Sequence, residues 1–450
     1  MMSKLSSKIA ILGFGVEGRS AAKHLRAAGY TDITICDKGV DIEHGEQDLK
    51  YILGEKYMDN LAEFDAIFRS PGIPISRAEI QNAAKNHVEI TSVTKYFFDK
   101  CPCKIVGVTG TKGKGTTSTL LYEMLKAGGV DAYLGGNIGN SPLDFLPKLG
   151  KESIVVLELG HGQIEDLHKG PEIGIIIGVT EDHLDYHPST DKYRAAKYPL
   201  IANQTSRQKA IINVDYEGNQ PFLKLGCSKK YGVSTKRSVR RGAYMSKDSI
   251  MLKKGLFAET LMHASEVGLL GKHNLENVLP ASLAASILGM PSVKIAETAR
   301  KFEGLPHRLE VVASNDGISF VNDSFSTTPL TSIAAMRAFE TPLIFIAGGS
   351  EKHADFTQWA ETAAETTNLK DILVIGETAG RLTEALQKAG YQNTRMVKTL
   401  EGAFQYVKDN GKRGDTVVLS PACASFDQFK DYKQRGEIFS KMAKEFTTTS

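Results

Sequence analysis

Two glycine loops and one acidic cluster hold the residues of this 450-residue sequence whose types and spacing could do chemistry. In GVTGTKGKGTTSTL, the residues Gly110, Thr111, Gly113, Lys114, Gly115 and Thr116 follow the apolar run KIVGV and precede Leu120, Leu121, Met124 and Leu125 at helical spacing. Strand, glycine loop and helix in that order make a phosphate cradle. Consecutive amides surround triphosphate oxygens, and the lysine neutralises charge on a transferred phosphoryl group. Gly115 has no hydroxyl to offer Mg²⁺, so Thr116 or Thr117 is the candidate there; Lys112 reads equally well as a solvated loop charge. The second loop places Gly13, Gly15 and Gly18 after KIAIL, with Asp37 closing the next strand. That order suits a nicotinamide dinucleotide, another nucleotide diphosphate or a purely structural turn, and the pattern alone leaves all three open. The acidic cluster runs from Glu158, at the end of SIVVLE, to TEDHLDYHPSTDKYRAAK with Glu181, Asp182, His183 and Asp185. Oxygen donors with one imidazole suit Mg²⁺ or Mn²⁺ beside a triphosphate better than zinc. Tyr193 and Lys197 lie four apart on one expected helical face, where Lys197 by itself reads as an exposed lysine.

The elements that must position these residues are short and β-branched. KIAILGFG, DITICD, KIVGVTG, SIVVLELG, IGIIIGVT, PLIFIAGG, DILVIG and DTVVLS alternate with glycine loops and helical patterns, which predicts α/β architecture with mostly parallel sheets. Length and loop placement predict three domains, 1–102, 103–304 and 305–450. The linkers fall at Cys101-Pro102-Cys103 and Gly304-Leu305-Pro306, and a third cluster of strands begins after residue 318. Residues 207–262, rich in basic side chains and weak in periodicity, read as a mixed or β-rich insertion. Composition is that of a folded soluble chain: 41% hydrophobic, 24% charged, net charge +3 and no block of like charge, which gives no support to nucleic-acid binding. No apolar stretch reaches the ~18 residues of a membrane span, and no signal segment is expected. Five scattered cysteines without paired zinc spacing fit a reducing cytoplasm.

Taken in order, TGTKGKGTT, GGNIG, LEL with Gln163, TEDHLDYHP, YRAAK, GKHNLEN, GLPHRLE, NDS, GGSEKHADF and SPACASFDQFKDYKQRGEIF resemble the Mur ligases over nearly the whole chain. SPACASFDQF and SPGIP (Ser70–Pro74) resemble most the branch that adds D-glutamate to UDP-N-acetylmuramoyl-L-alanine. The resemblance implies a Rossmann-like UDP-binding domain, a central P-loop ATPase-like domain and a Rossmann-like C-terminal domain. It implies ATP-dependent amide synthesis for peptidoglycan through an acyl phosphate, by a cytoplasmic monomer using Mg²⁺ or Mn²⁺. Carried over by motif, Lys114 holds the β and γ phosphates, and Glu158, His183 and Thr116 serve the metal. Lys197 matches the lysine that is carbamylated, which turns an ammonium into an anionic oxygen ligand; Lys114, His183 and Lys197 are then the catalytic set. Asn274, Asn277, Arg308 and Asp323 match contacts to ATP. Gly15, Val16, Glu17 and Gly18 fall at the UDP diphosphate, Asp37 and Lys38 near uridine with Ser70 and Gly72 alongside, and Asn137 and Gln163 near the muramoyl-alanine. Thr327, Lys352, Ser425, Phe426 and Tyr432 match positions that hold the incoming glutamate. Three positions depart from the pattern: Gly115 in place of a hydroxyl residue, Gly160-His161-Gly162 in place of Ser-Ser-Phe, and Phe325 in place of a lysine.

Other readings remain at this level. A Mur-type ligase could take L-glutamate or another amino acid; a nucleotide-binding protein of the same fold could lack turnover; and an oxidoreductase could use the loop at Gly13, leaving the second loop unexplained.

Overall fold

The computed structural model describes residues 7–40, 42, 49–181, 186–269, 271–351 and 354–446. His183 and Lys352, both expected at the site, lie outside the described residues, as do Asp182 and Asp185.

Three sheets follow one another along the chain. The first holds β1 (Ile9–Leu12), β2 (Ile33–Asp37), β3 (Lys50–Leu53), β4 (Ala66–Arg69) and β5 (Glu89–Thr91), all parallel, in the order β3-β2-β1-β4-β5. The strand order reverses between β1 and β4, so a crevice opens beyond their carboxyl ends, where Gly13 and Ser70 stand.

The second sheet has nine strands: β6 (Lys104–Thr109), β7 (Ala132–Gly136), β8 (Ile154–Glu158), β9 (Ile173–Ile176), β10 (Lys209–Asn213), β11 (Lys229–Ser234), β12 (Gly242–Ser246), β13 (Ser249–Lys253) and β14 (Glu259–His263). Their order is β14-β13-β12-β11-β10-β9-β6-β8-β7, parallel as far as β12 and antiparallel through β13 and β14. The fully buried runs Ile154–Glu158 and Ile173–Ile176 flank β6, covered by helices, as continuous apolar strands of a parallel sheet must be. Residues 207–262 are therefore β-rich, as expected, but continue the central sheet rather than standing apart as an insertion. They extend the central sheet by five strands, of which β13 alternates buried and half-buried residues and so carries no solid apolar run.

The third sheet holds β15 (Glu310–Asn315), β16 (Ile318–Asn322), β17 (Leu343–Gly348), β18 (Leu369–Ile375), β19 (Thr394–Lys398) and β20 (Thr416–Leu419), in the order β15-β16-β20-β17-β18-β19. Only β15 is antiparallel to its neighbour. It starts before residue 318, where the strands were expected, because an edge strand with no buried residue carries no apolar run. The chain forms two compact units: the first two sheets with His273–Ala299, and the third sheet with Val267–Lys272 and the chain from Arg300 onward. Among the described residues no helix is long and apolar enough to cross a membrane.

Candidate active site

In the first unit the phosphate loop leaves β6 at the point where the sheet order reverses, between β8 and β9. Gly110 takes φ +159°, and a Cβ there would meet Ile177 at 2.8 Å; Gly113 takes φ +82°, and its Cβ would stand 2.1 Å from Asn277 Oδ1. Both positions exclude a side chain, so the backbone amides are what the loop presents. Lys114 opens the helix Lys114–Ala127, and its ammonium donates to the carbonyls of Gly110 at 3.2 Å and Thr111 at 3.0 Å. The amide of Thr111 donates to Gly178 O, and its hydroxyl to Thr180 O, which ties the loop to the end of β9. The Asn277 side chain accepts from Thr117 Oγ1 at 3.2 Å and donates to Asn274 Oδ1 at 2.8 Å, so of the two asparagines expected at ATP, Asn277 reaches the loop from 160 residues away and Asn274 stands behind it. Gly115 and Thr116 are buried in the first turn of the helix, whereas Lys112 is exposed.

Glu158 is buried at the end of β8, in register with Val108 of β6, and accepts from the Asn137 side-chain amide at 3.2 Å. This brings a residue expected at the metal and one expected at the muramoyl-alanine together beside the phosphate loop. Lys197 is not the exposed helix lysine its spacing suggests. The helix Thr190–Ala195 ends before it, the residue is 1% exposed, and its Nζ lies 4.2 Å from the centre of the Tyr193 ring.

The first-sheet loop is built around Gly13 (φ +91°), where a Cβ would strike Ser70 Oγ at 2.6 Å; the same hydroxyl donates to Gly13 O. Gly15 caps the helix Val16–Ala27 with open space around its Cα and Val16 is exposed, while a Cβ on Gly18 would collide with Gly13 O at 2.1 Å. Asp37 accepts from the amides of Phe14 at 2.6 Å and Gly39 at 2.7 Å, Lys38 pairs with Glu55 at the surface, and Gly72 has open space. Glu17 sits at the loop, but its carboxylate accepts from Gln163 Nε2 at 2.5 Å and burial holds its pKa above the usual range. Backbone amides, not this carboxylate, are thus what the loop offers a diphosphate.

Arg69, absent from the sequence reading, connects the two sheets. Arg69 is fully buried; it pairs with Glu165 at 3.0 Å and Asp166 at 3.4 Å and donates to the carbonyls of Ile73 and Gly162. His161 Nδ1 lies 2.9 Å from His187 Nε2, and the His161 ring meets those of Tyr186 and Tyr193. The signal was present in the departure Gly160-His161-Gly162. A Cβ on Gly162 would stand 2.1 Å from Pro71 O, so the phenylalanine usual at that position in the resembled branch has no room here. Gly162→Ala is expected to destabilise the first unit by about 1–3 kcal/mol through overpacking. Gly160→Ala, whose nearest neighbour would be Gln163 Oε1 at 3.6 Å, is expected to stay within ~0.5 kcal/mol. Urea midpoints of the two variants check this.

In the second unit, Asp323 follows β16 with its carboxylate buried, accepting from Ser420 Oγ at 2.7 Å and Leu309 N at 3.2 Å. Burial pushes its pKa up to about 6. The folded state then holds this proton up to about pH 6 while the unfolded chain releases it near its ordinary value of 3.8. Stability from this group is present below that ordinary value and is lost as pH rises through about 6. The Tm of Asp323→Asn relative to the parent protein is expected to shift in the variant's favour between pH 4 and pH 7, which a pH series of thermal melts reads.

The Arg308 guanidinium lies 4.1 Å over the Phe325 ring, which also makes an edge contact with Tyr432. Phe325 carries no charge, yet a cation stands against it. Thr327 donates its amide to Phe325 O, and Ser425 is buried beside Phe426, whose amide donates to Ser350 Oγ. Phe426 is 69% exposed and so is no core aromatic. Arg435, also missed in the sequence, is fully buried and donates to Ser324 and to the carbonyls of Cys423 and Ala424, stitching the two segments that carry these residues.

Residues 7–92 match the Mur ligase MurD-like N-terminal domain, 108–285 the Mur ligase middle domain and 307–423 the Mur ligase glutamate ligase domain. A UDP-N-acetylmuramoylalanine--D-glutamate ligase of Symbiobacterium thermophilum is 32% identical over 449 residues, 98% of each chain. One of Acetivibrio thermocellus is 34% identical over 451 residues, 97% of this chain and 96% of that one. Among solved structures, UDP-N-acetylmuramate-alanine ligase MurC of Thermotoga maritima shares the fold with TM-score 0.57 at 18% identity, covering 97% of this chain and 98% of that one. The MurF ligase of Thermotoga maritima in complex with ADP also has TM-score 0.57, at 16% identity, covering 98% and 99%. With relatives of that identity along its whole length, the chain belongs to the Mur ligase family.

Proposed function

We propose that this protein is the ATP-dependent ligase that joins D-glutamate to UDP-N-acetylmuramoyl-L-alanine in peptidoglycan synthesis. Full-length relatives bearing that activity in their names support it. The observation that carries it in this chain is the meeting of Lys114, Asn277, Glu158 and Asn137 at the carboxyl ends of β6 and β8. In this reading the substrate carboxylate takes the γ-phosphoryl group of ATP to give an acyl phosphate. The glutamate amine attacks it, and phosphate leaves. A carboxylate is a poor acylating agent, so the phosphate supplies the leaving group, and the phosphate loop with Lys114 neutralises the charge that develops.

The residues expected at the metal supply oxygen from Glu158, Thr116 and a carbamylated Lys197 and one imidazole from His183, a set that suits Mg²⁺ or Mn²⁺. Glu158, Thr116, His183 and a carbamylated Lys197 would hold the ion, which supplies charge neutralisation at the phosphates when bound. The exposed loop at Gly15 and Val16 takes the UDP diphosphate through its amides, with Gly18 giving the close approach and Asp37, Lys38, Ser70 and Gly72 near it. Gln163, fixed by Glu17 and by the Gly160 amide, orients the muramoyl-alanine arm with Asn137. Arg308 and Asp323 belong to the ATP contacts, and Thr327, Lys352, Ser425, Phe426 and Tyr432 to the glutamate. The proposed domains are 1–102, 103–304 and 305–450, in a cytoplasmic monomer whose five cysteines are free thiols.

One observation favours weighing a different acceptor: Phe325 replaces a lysine, and its cation comes from Arg308 instead. Phosphate release is measured with ATP, Mg²⁺ and UDP-N-acetylmuramoyl-L-alanine in the presence of D-glutamate, L-glutamate or no amine, and products are weighed by mass spectrometry. Release and a new amide with D-glutamate alone is expected. Release only with another amine would move the acceptor, and none with any amine would overturn ligase turnover.

A further inference from the structure

The central sheet has a second end that the proposed reaction does not use. Strands β6 through β12 run parallel, so their carboxyl ends share the side on which β6 delivers the phosphate loop. Register places Gly232 of β11 beside Gly242 of β12, and Gly242 beside Lys253 at the close of β13. The starts of β11 and β12 and the end of β13 therefore meet at the opposite end of the sheet. Lys229, Arg240, Arg241, Lys253 and Lys254 converge there, all but Lys253 exposed, with Arg241 lying over the Tyr231 ring. Beyond them the β13–β14 turn projects Leu256 and Phe257, 89% and 88% exposed. Its Gly255 would meet nothing within 4 Å even with a Cβ added. Across 207–262 the sequence carries twelve Lys and Arg against four Asp and Glu, while the rest of the chain is net negative. The nearest acid along the chain, Glu259, accepts from Ser292 Oγ at 3.3 Å.

We propose that this turn and its basic surround form a docking surface for an anionic phospholipid bilayer. Two neighbouring apolar side chains on a projecting turn cover on the order of 300 Å², well short of the ~800 Å² each partner buries in a stable protein interface. A bilayer needs no such area. Its anionic headgroups attract the lysines and arginines, and the acyl boundary directly beneath takes Leu256 and Phe257. Docked this way, the protein rests on the membrane with its phosphate loop directed away from it. The contact is peripheral.

The test uses the full chain in sedimentation with phosphatidylcholine vesicles and with mixed phosphatidylcholine and phosphatidylglycerol vesicles, at low and high ionic strength. The protein is expected to pellet with the anionic vesicles only, and to be released as salt screens the attraction. Leu256→Ser with Phe257→Ser, and separately Lys253→Gln with Lys254→Gln, are each expected to weaken partitioning about tenfold or more, with Tm and vesicle-free phosphate release unchanged. No pelleting with anionic vesicles at low salt would overturn the proposal, as would undiminished binding by the serine variant. So would concentration-dependent self-association, seen by light scattering and lost in that variant, which would assign the turn to a second copy of the chain.

Discussion

Lys114→Ala is expected to lower D-glutamate-dependent phosphate release by about 10²- to 10³-fold while leaving the fold intact, the loss typical of one electrostatic donor at a developing charge. The geometry explains why the effect should concentrate there. Lys114 is the first residue of its helix, so its backbone is fixed, and its ammonium is folded over the loop carbonyls of Gly110 and Thr111. A cation anchored to the loop's own backbone stands at the loop that would hold the phosphates, where charge builds up. Lys112, two residues earlier and exposed, supplies the control: it lies outside the helix that fixes Lys114, and Lys112→Ala is expected to retain activity within about twofold. Stopped assays with both variants, alongside thermal melts, decide it. Near-parental turnover by a folded Lys114→Ala protein would remove the lysine from the phosphate chemistry.

Legibility in the sequence followed burial. KIVGVT, IVVLE and LIFIAG are solid apolar runs because strands in the middle of a parallel sheet are covered on both faces, and each became a central strand. Edge elements lack that signal. Lys50–Leu53 and Thr394–Lys398 close the first and third sheets with no fully buried residue, and Glu310–Asn315 does the same on the other side of the third. Local glycine chemistry was equally readable, since the positions at 13, 18, 110 and 113 are each forced by a collision or a positive φ. What a local pattern cannot carry is a partner distant in sequence. Arg69 reads as the polar end of a strand until Gly162, Glu165 and Asp166 close around it from 93 to 97 residues further on. Arg435 lies on the polar-looking run YKQRGE, and its carbonyl partners come from two loops of the third sheet. Lys197 combines both problems, for nothing in its neighbours' types announces that the chain buries it against Tyr193.

That burial makes Lys197 the sharper test of the site. Its burial removes the reading of a solvated surface lysine and leaves the carbamylated one that the resemblance implies. Carbamylation exchanges the cation for an anionic oxygen donor, which a hard divalent ion accepts and an ammonium would repel. Lys197→Ala is therefore expected to lose turnover by about 10²-fold or more, as for loss of one preorganised electrostatic group. The truncation removes the butylammonium chain beside Tyr193 and leaves its volume to be filled. Added acetate or bicarbonate is accordingly expected to restore part of the activity of Lys197→Ala and none of that of Lys114→Ala, whose lost group is a cation. Lys197→Arg keeps a positive charge that cannot be carbamylated, so it is expected to stay inactive with or without the additive. A folded Lys197→Ala enzyme with full activity, or one that no carboxylate revives, would make Lys197 a packing residue and return the anionic ligands of the site to Glu158 and its neighbours.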